Sequence, residues 1–233
     1  MELLAALVDL VLPSGCGGCG ASARSGLCAG CASVLAQPPA PARPTPAPPG
    51  LPACVAGAEY DGPMRELILG YKERGRRDLT PVLGHALAGV VRAGWPDPGA
   101  GPVVLVPVPA TAAAVRARHG DHMHRLARRA AADLRRDGYD AAVATPLRAL
   151  PRVDSAQLDR EQRAAAAHAA FVVRPAASRL AALRAIADRG AVVLVDDVLT
   201  TGATLAAATR RLLEHEIVVT FAASLAATRL RGR

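Results

Sequence analysis

The sequence predicts an α/β domain built on a parallel sheet with helices on both faces. Strand-like and helical segments alternate from residue 54 onward. The runs 103–106 and 191–195 are continuously apolar, as strands buried on both faces must be. The second run ends abruptly in Asp196 and Asp197. Adjacent carboxylates are too costly inside a sheet, so they mark its carboxyl edge, where open α/β folds place ligands.

The chain of 233 residues is 51% hydrophobic, enough to bury a substantial core. No apolar run approaches the roughly 20 residues of a membrane span. Only 3% of residues are aromatic, so base-stacking platforms are scarce. Lys72 is the one lysine among 28 basic residues. That excludes a Walker A phosphate loop and confines any Schiff-base lysine to position 72. The net charge of +8 points to a polyanionic partner, with an arginine- and alanine-rich coding bias as the competing explanation. Segment 116–136 holds seven arginines against Asp121 and Asp133, and would draw phosphate groups or nucleic acid.

In chain order, Leu3, Leu4, Leu7, Leu10 and Val11 form the apolar face of a short helix that stops before Pro13. Glu2, Asp9 and the lack of a basic start argue against a secretory signal, so a cytoplasmic protein is expected. Residues 38–52 are so rich in proline that they read as an extended linker, unable to pair in a sheet. The organisation is therefore a cysteine module over 1–37, a linker over 38–52 and the α/β domain over 53–233. Within that domain the expected strands are 54–60, 103–106, 141–145, 171–173, 191–195 and 217–224. The expected helices are 63–73, 80–93, 122–137, 159–168 and 203–214.

Cys16 and Cys19 form one knuckle, Cys28 and Cys31 a second, each with two intervening residues. Such turns aim both sulfurs at one point, and four thiolates complete a closed, structural Zn²⁺ site. An iron–sulfur cluster is the competing occupant. Cys54 is left over, as a small buried residue opening a strand.

Residues 191–205 read AVVLVDDVLTTGATL. Thr200, Thr201, Gly202, Ala203 and Thr204 follow the two acids and open a helix, whose backbone N–H groups make a nest for a phosphate. The carboxylates upstream accept hydrogen bonds from vicinal hydroxyls, so the expected ligand is a ribose 5-phosphate. A branched side chain at 202 is expected to fill the phosphate's place. His119, His122 and His124 are close enough in sequence to suggest metal or acid–base chemistry, against the plainer reading of exposed histidines at a helix start.

The 191–205 segment resembles the phosphoribosyl pyrophosphate (PRPP) signature of type I phosphoribosyltransferases. The whole chain resembles the ComF family, which joins a four-cysteine zinc ribbon to such a domain. Tyr71-Lys72 with Gly75, Val106-Pro107-Val108-Pro109 with Arg116 and Arg118, and Gln157, Arg163 and Phe171 fit further family motifs. Arg118-His-Gly-Asp-His122 stands where the family typically has Arg-Gly-Phe-Asn-Gln, and alanines 164–167 stand where an asparagine often follows the arginine.

The resemblance implies a type I phosphoribosyltransferase fold. It implies that residues 200–204 hold the 5-phosphate of PRPP or a nucleotide, and that Asp196 and Asp197 are the catalytic pair orienting the ribose. Lys72, Arg116 and Arg118 are then candidates for the pyrophosphate, with Mg²⁺ clamping it. It also implies a role in natural competence, with single-stranded DNA and a helicase as partners. An active transferase with a base acceptor, a PRPP- or nucleotide-sensing module without turnover, and a plain scaffold are the competing functions.

Overall fold

The computed structural model of the protein describes residues 15–23, 26–118, 120–151, 170–174 and 176–228. The helices expected over 3–11 and 159–168 lie outside these residues, as do His119, Gln157 and Arg163. The elements begin with helix α1 (Ala29–Leu35), strands β1 (Ala40–Pro41) and β2 (Cys54–Glu59), and helices α2 (Gly62–Lys72) and α3 (Thr80–Gly94). Strand β3 (Val103–Pro107) leads into helices α4 (Ala112–Ala117) and α5 (His122–Arg136). Strands β4 (Ala141–Val143), β5 (Leu147–Ala149) and β6 (Phe171–Val173) precede helix α6 (Ala177–Ala187). The chain continues through β7 (Ala191–Leu199), α7 (Ala203–Leu213) and β8 (Phe221–Ala227).

Six strands form one sheet in the order β1-β2-β8-β7-β3-β4, parallel throughout except where β1 meets β2. Strands β5 and β6 form a separate antiparallel ribbon. Side chains alternate across the sheet, so each apolar strand feeds two cores. Val103, Leu105, Val193 and Val195 face α2, α3 and α5, where they meet Met64, Leu87 and Leu126. Val104, Val106, Val192 and Leu194 face the other way, against Leu183 of α6 and Leu205 and Leu212 of α7. The expected α/β architecture with a mainly parallel sheet is therefore present.

Helix starts follow from local chemistry. The Asp121 carboxylate accepts from His124 N–H at 2.9 Å and fixes the first turn of α5. Thr111 caps α4 by accepting from Ala114 N–H. Pro63 and Pro81 sit in the first turns of α2 and α3, where a missing N–H costs nothing. Helices α3 and α5 approach closely because Gly84 has no side chain: a Cβ there would lie 2.3 Å from Arg129 Cγ. Arg129 thus lies across α3 and pairs with the buried Asp133 at 3.1 Å.

Three sequence expectations change. The proline-rich segment does pair: Ala40 and Pro41 lie opposite Ala56 and Val55, and Ala42 N–H donates to Cys54 C=O at 2.9 Å. An edge strand turns one row of backbone groups to solvent, so a proline there forfeits no ladder bond. Strand β7 runs on to Leu199, through both acids. Its neighbour β3 stops at Pro107 opposite Val195, whereas β8 continues alongside it as far as Ala227. The carboxyl edge is thus one-sided at Asp196. Strand β8 starts at 221 rather than 217, because Ile217 N–H turns back to Leu212 C=O and closes α7.

Candidate functional site

After β3 the chain passes to β4 on one side of the sheet, and after β7 it passes to β8 on the other. The two connections diverge, and the crevice left between the carboxyl ends of β3 and β7 is where open α/β sheets bind ligands. A cavity of about 760 Å³ opens there. Lys72, Arg116, Arg118, Asp196, Asp197, Thr200 and Thr204 all line it. Thr201, Gly202 and Ala203 complete the same turn without lining the cavity. Residues spread over 133 positions of sequence are thus brought to one crevice by α2, the α4 region, β7 and the start of α7.

The turn after β7 is shaped by Gly202, buried and in the left-handed region at φ 75°, as the N-cap of α7. Its C=O accepts from Ala206 N–H at 2.9 Å, starting the helix, while the first-turn amides have no partner within the helix. Ala203 N–H donates to the Thr201 hydroxyl at 3.4 Å, and the partial positive charge of the helix start lies beside Thr200 and Thr204. A Cβ on Gly202 would stand 3.0 Å from Leu51 and 3.2 Å from Pro44. A side chain at 202 thus points at the proline-rich segment that backs the turn, in tight contact with it, and the expectation that it would fill the phosphate's place is corrected.

The two acids differ in surroundings. Asp197 is 6% exposed, and a single oxygen, Oδ2, accepts from Lys72 Nζ at 2.7 Å and from His122 Nε2 at 3.2 Å. Burial works against its charge, but the His122 hydrogen bond and the Lys72 ammonium hold Asp197 down at about 2. Because Asp197 is a carboxylate, the His122 Nε2 carries the shared proton. Nδ1 of that ring is buried without a hydrogen-bond partner among the described residues. Asp196 is only partly buried, and its Oδ1 accepts from Asp197 N–H at 2.9 Å. Desolvation and the neighbouring Asp197 charge push Asp196 up to about 7. One acid is thus fixed as an anion while the other is poised near neutrality.

The cations differ as well. Arg118 makes a two-pronged pair with Glu73, Nε at 3.1 Å and the terminal nitrogen at 2.8 Å. Arg116 lines the cavity, as does Arg148 of β5. Much of the charge expected on 116–136 is used internally, since Arg118 pairs with Glu73 and both Arg129 and Arg136 pair with Asp133. Of the three expected histidines, His122 enters the crevice, and His124 gives only its backbone N–H to the Asp121 cap of α5.

The cysteines converge as expected. The sulfurs of Cys16, Cys19, Cys28 and Cys31 all lie within 4.8 Å of one another, with Cys19 and Cys28 at 3.5 Å. Tetrahedral zinc with sulfur at about 2.3 Å sets neighbouring sulfurs just under 4 Å apart, so this cluster could hold a structural zinc. Burial raises the Cys16 thiol, yet backbone N–H groups of Cys28, Cys19 and Gly18 outweigh it and bring Cys16 down to about 6. The cluster docks on α2 and the turn after it. Gly17 and Gly18 lie so close to Leu67, Leu79 and Cys31 that a Cβ on either would stand 2.8 Å from a neighbour. Arg76 ties it down by donating to Gly15 C=O at 2.9 Å while pairing with Asp78 at 2.8 Å. Cys54 opens β2 and is buried, as expected. Among the described residues no helix is long and apolar enough to cross a membrane.

Glu73 and His122 were not singled out as ligand partners by sequence reasoning. Glu73 follows Lys72 at the end of α2 and carries no motif of its own. His122 ends the segment that departs from the family pattern and stands among neighbouring histidines, but neither signal points to a carboxylate 75 positions away. Set against models of known protein families and against curated proteins, the sequence matches none.

Proposed function

We propose that the chain is a ComF-like protein whose α/β domain has the type I phosphoribosyltransferase fold and binds PRPP or a nucleoside 5-monophosphate in the β3–β7 crevice. The observation that carries this reading is the placement of Thr200–Thr204, opening α7, directly after Asp196 and Asp197 at the switch point of the sheet. The 5-phosphate rests against the turn of residues 200–204, where Thr200 and Thr204 line the crevice beside the start of α7. The ribose hydroxyls donate to the carboxylates of Asp196 and Asp197. Lys72, Arg116 and Arg118 take the pyrophosphate, together with Mg²⁺, which neutralises its charge. No side-chain nucleophile is required, because positioning and charge stabilisation suffice for departure of pyrophosphate from the ribosyl carbon.

The cysteine cluster holds zinc and staples the segment before β1 onto α2. The resemblance extends the reading to DNA uptake in natural competence, with single-stranded DNA and a helicase as partners. Exposed Arg128 on α5 and the internal pairing of its neighbours fit a weak, salt-sensitive contact with DNA rather than a tight one.

Pyrophosphate release from PRPP and Mg²⁺, measured across a panel of nucleobases, separates the two activities. Release that depends on one base establishes a transferase; saturable binding without release establishes a binding module. Failure of both discards the reading.

A further inference from the structure

Both cations that face Asp197 and Glu73 are already paired: Lys72 with Asp197 at 2.7 Å and Arg118 with Glu73 at 2.8 Å. A polyanion entering the crevice must take them from those carboxylates. The two exchanges have different costs. The Glu73 side chain is 46% exposed, so water replaces Arg118 as its partner. The Asp197 side chain is 8% exposed, and a buried carboxylate stripped of its only donor is strongly disfavoured. Asp197 has a second donor on the same oxygen, His122 Nε2 at 3.2 Å.

We propose that His122 is a positioning residue that keeps Asp197 hydrogen-bonded when Lys72 leaves it for a phosphate oxygen of the ligand. The proposal rests on the assignment of Lys72 to the pyrophosphate. The ring is held for this task. Asp121 caps the helix that begins at His122, Tyr71 O–H donates to His122 C=O at 3.3 Å, and the Tyr71 ring meets the imidazole edge-on at 6.5 Å. Tyr71 directly precedes Lys72, so one turn of α2 carries both the mobile cation and the ring that packs on its stand-in.

Titration of Mg²⁺-pyrophosphate by calorimetry into the full-length protein tests this. His122→Leu removes the donor and should weaken binding at least about tenfold, the effect of stranding a buried acceptor. His122→Gln places an amide N–H near the position of Nε2 and should stay within about threefold of wild type. Adding Asp197→Ala to His122→Leu removes the carboxylate that would be stranded, and should restore binding to within about threefold of wild type. His122→Met serves as a second apolar variant should His122→Leu fail to fold, because its flexible chain fills irregular space. Wild-type affinity in the apolar variants, equal loss in His122→Gln, or no recovery in the double variant each overturns the role of His122 alone. Absence of binding by the wild type overturns the assignment of the crevice itself.

Discussion

The cysteine cluster and the β3–β7 crevice are both sites of converging polar groups, but they are assembled in opposite ways. The cluster takes all four sulfurs from 16 consecutive residues, and two tight turns bring them within 4.8 Å. The crevice takes its groups from α2, the end of α4, the start of α5, β7 and the start of α7, between residues 72 and 204. In the first, spacing alone fixes geometry, because a two-residue gap leaves the sulfurs few places to go. In the second, spacing fixes only the turn at 200–204, and the sheet decides which side chains face it.

The largest effect that would sharpen this contrast is at the cluster. Cys31 is buried, and its thiol faces the other three. Cys31→Ser should abolish zinc uptake measured by atomic emission and open the segment around Cys16 to protease, while Cys54→Ala should change neither. Retention of metal and protection in Cys31→Ser would break the account of the cluster. At the crevice, Asp197→Ala should weaken PRPP by about 10- to 150-fold, the worth of a charge-assisted hydrogen bond of about 1.5–3 kcal/mol. Inorganic pyrophosphate should bind Asp197→Ala at least as well as wild type, since Lys72 is released. Equal losses for both ligands would show that Asp197 does not meet the ribose.

A smaller change is expected at Glu73. Glu73→Gln weakens an exposed ion pair and frees Arg118, so pyrophosphate affinity should rise by about two- to fivefold, as surface pairs are worth under about 1 kcal/mol. An unchanged affinity would show that Arg118 does not exchange partners. The smallest effect concerns pH. The folded-state value of Asp196, about 7, lies above the ordinary carboxylate range. Between pH 4 and 7 the folded chain therefore holds a proton that the unfolded chain has lost, and this contribution to stability fades as pH rises. Asp196→Asn should remove that slope and raise the thermal midpoint at pH 8 by about 2–4 °C. Asp197 runs the other way: its value near 2 gives stability that is present above pH 4 and lost as pH falls toward 2.

Much of the fold was legible because the signals were local. The strand at Phe171–Val173 and the helix starts at Ala203 and His122 fall where apolar runs and capping residues put them. The length of β7 was not, because whether a strand continues past 195 depends on a neighbour, β8, that pairs with it to Leu199. Proline density in 38–52 concealed the pairing of Ala40–Pro41, since a proline's missing donor matters only when it faces another strand. The role of Gly202 was half legible. Its positive φ is written in the residue type, but the direction of its absent side chain, toward Leu51 and Pro44, depends on where the proline segment lies. Glu73 carries no motif and His122 none that names its partner, and only the packing of α2 and α5 on the sheet brings them to Arg118 and Asp197.

The central claim is that the crevice binds a phosphoribosyl group, and a calorimetric titration of the wild-type protein with PRPP and Mg²⁺ tests it most directly. The account predicts saturable binding below millimolar concentration, weakened by Asp197→Ala. No detectable heat at millimolar PRPP, with the chain folded and zinc-loaded, would contradict it.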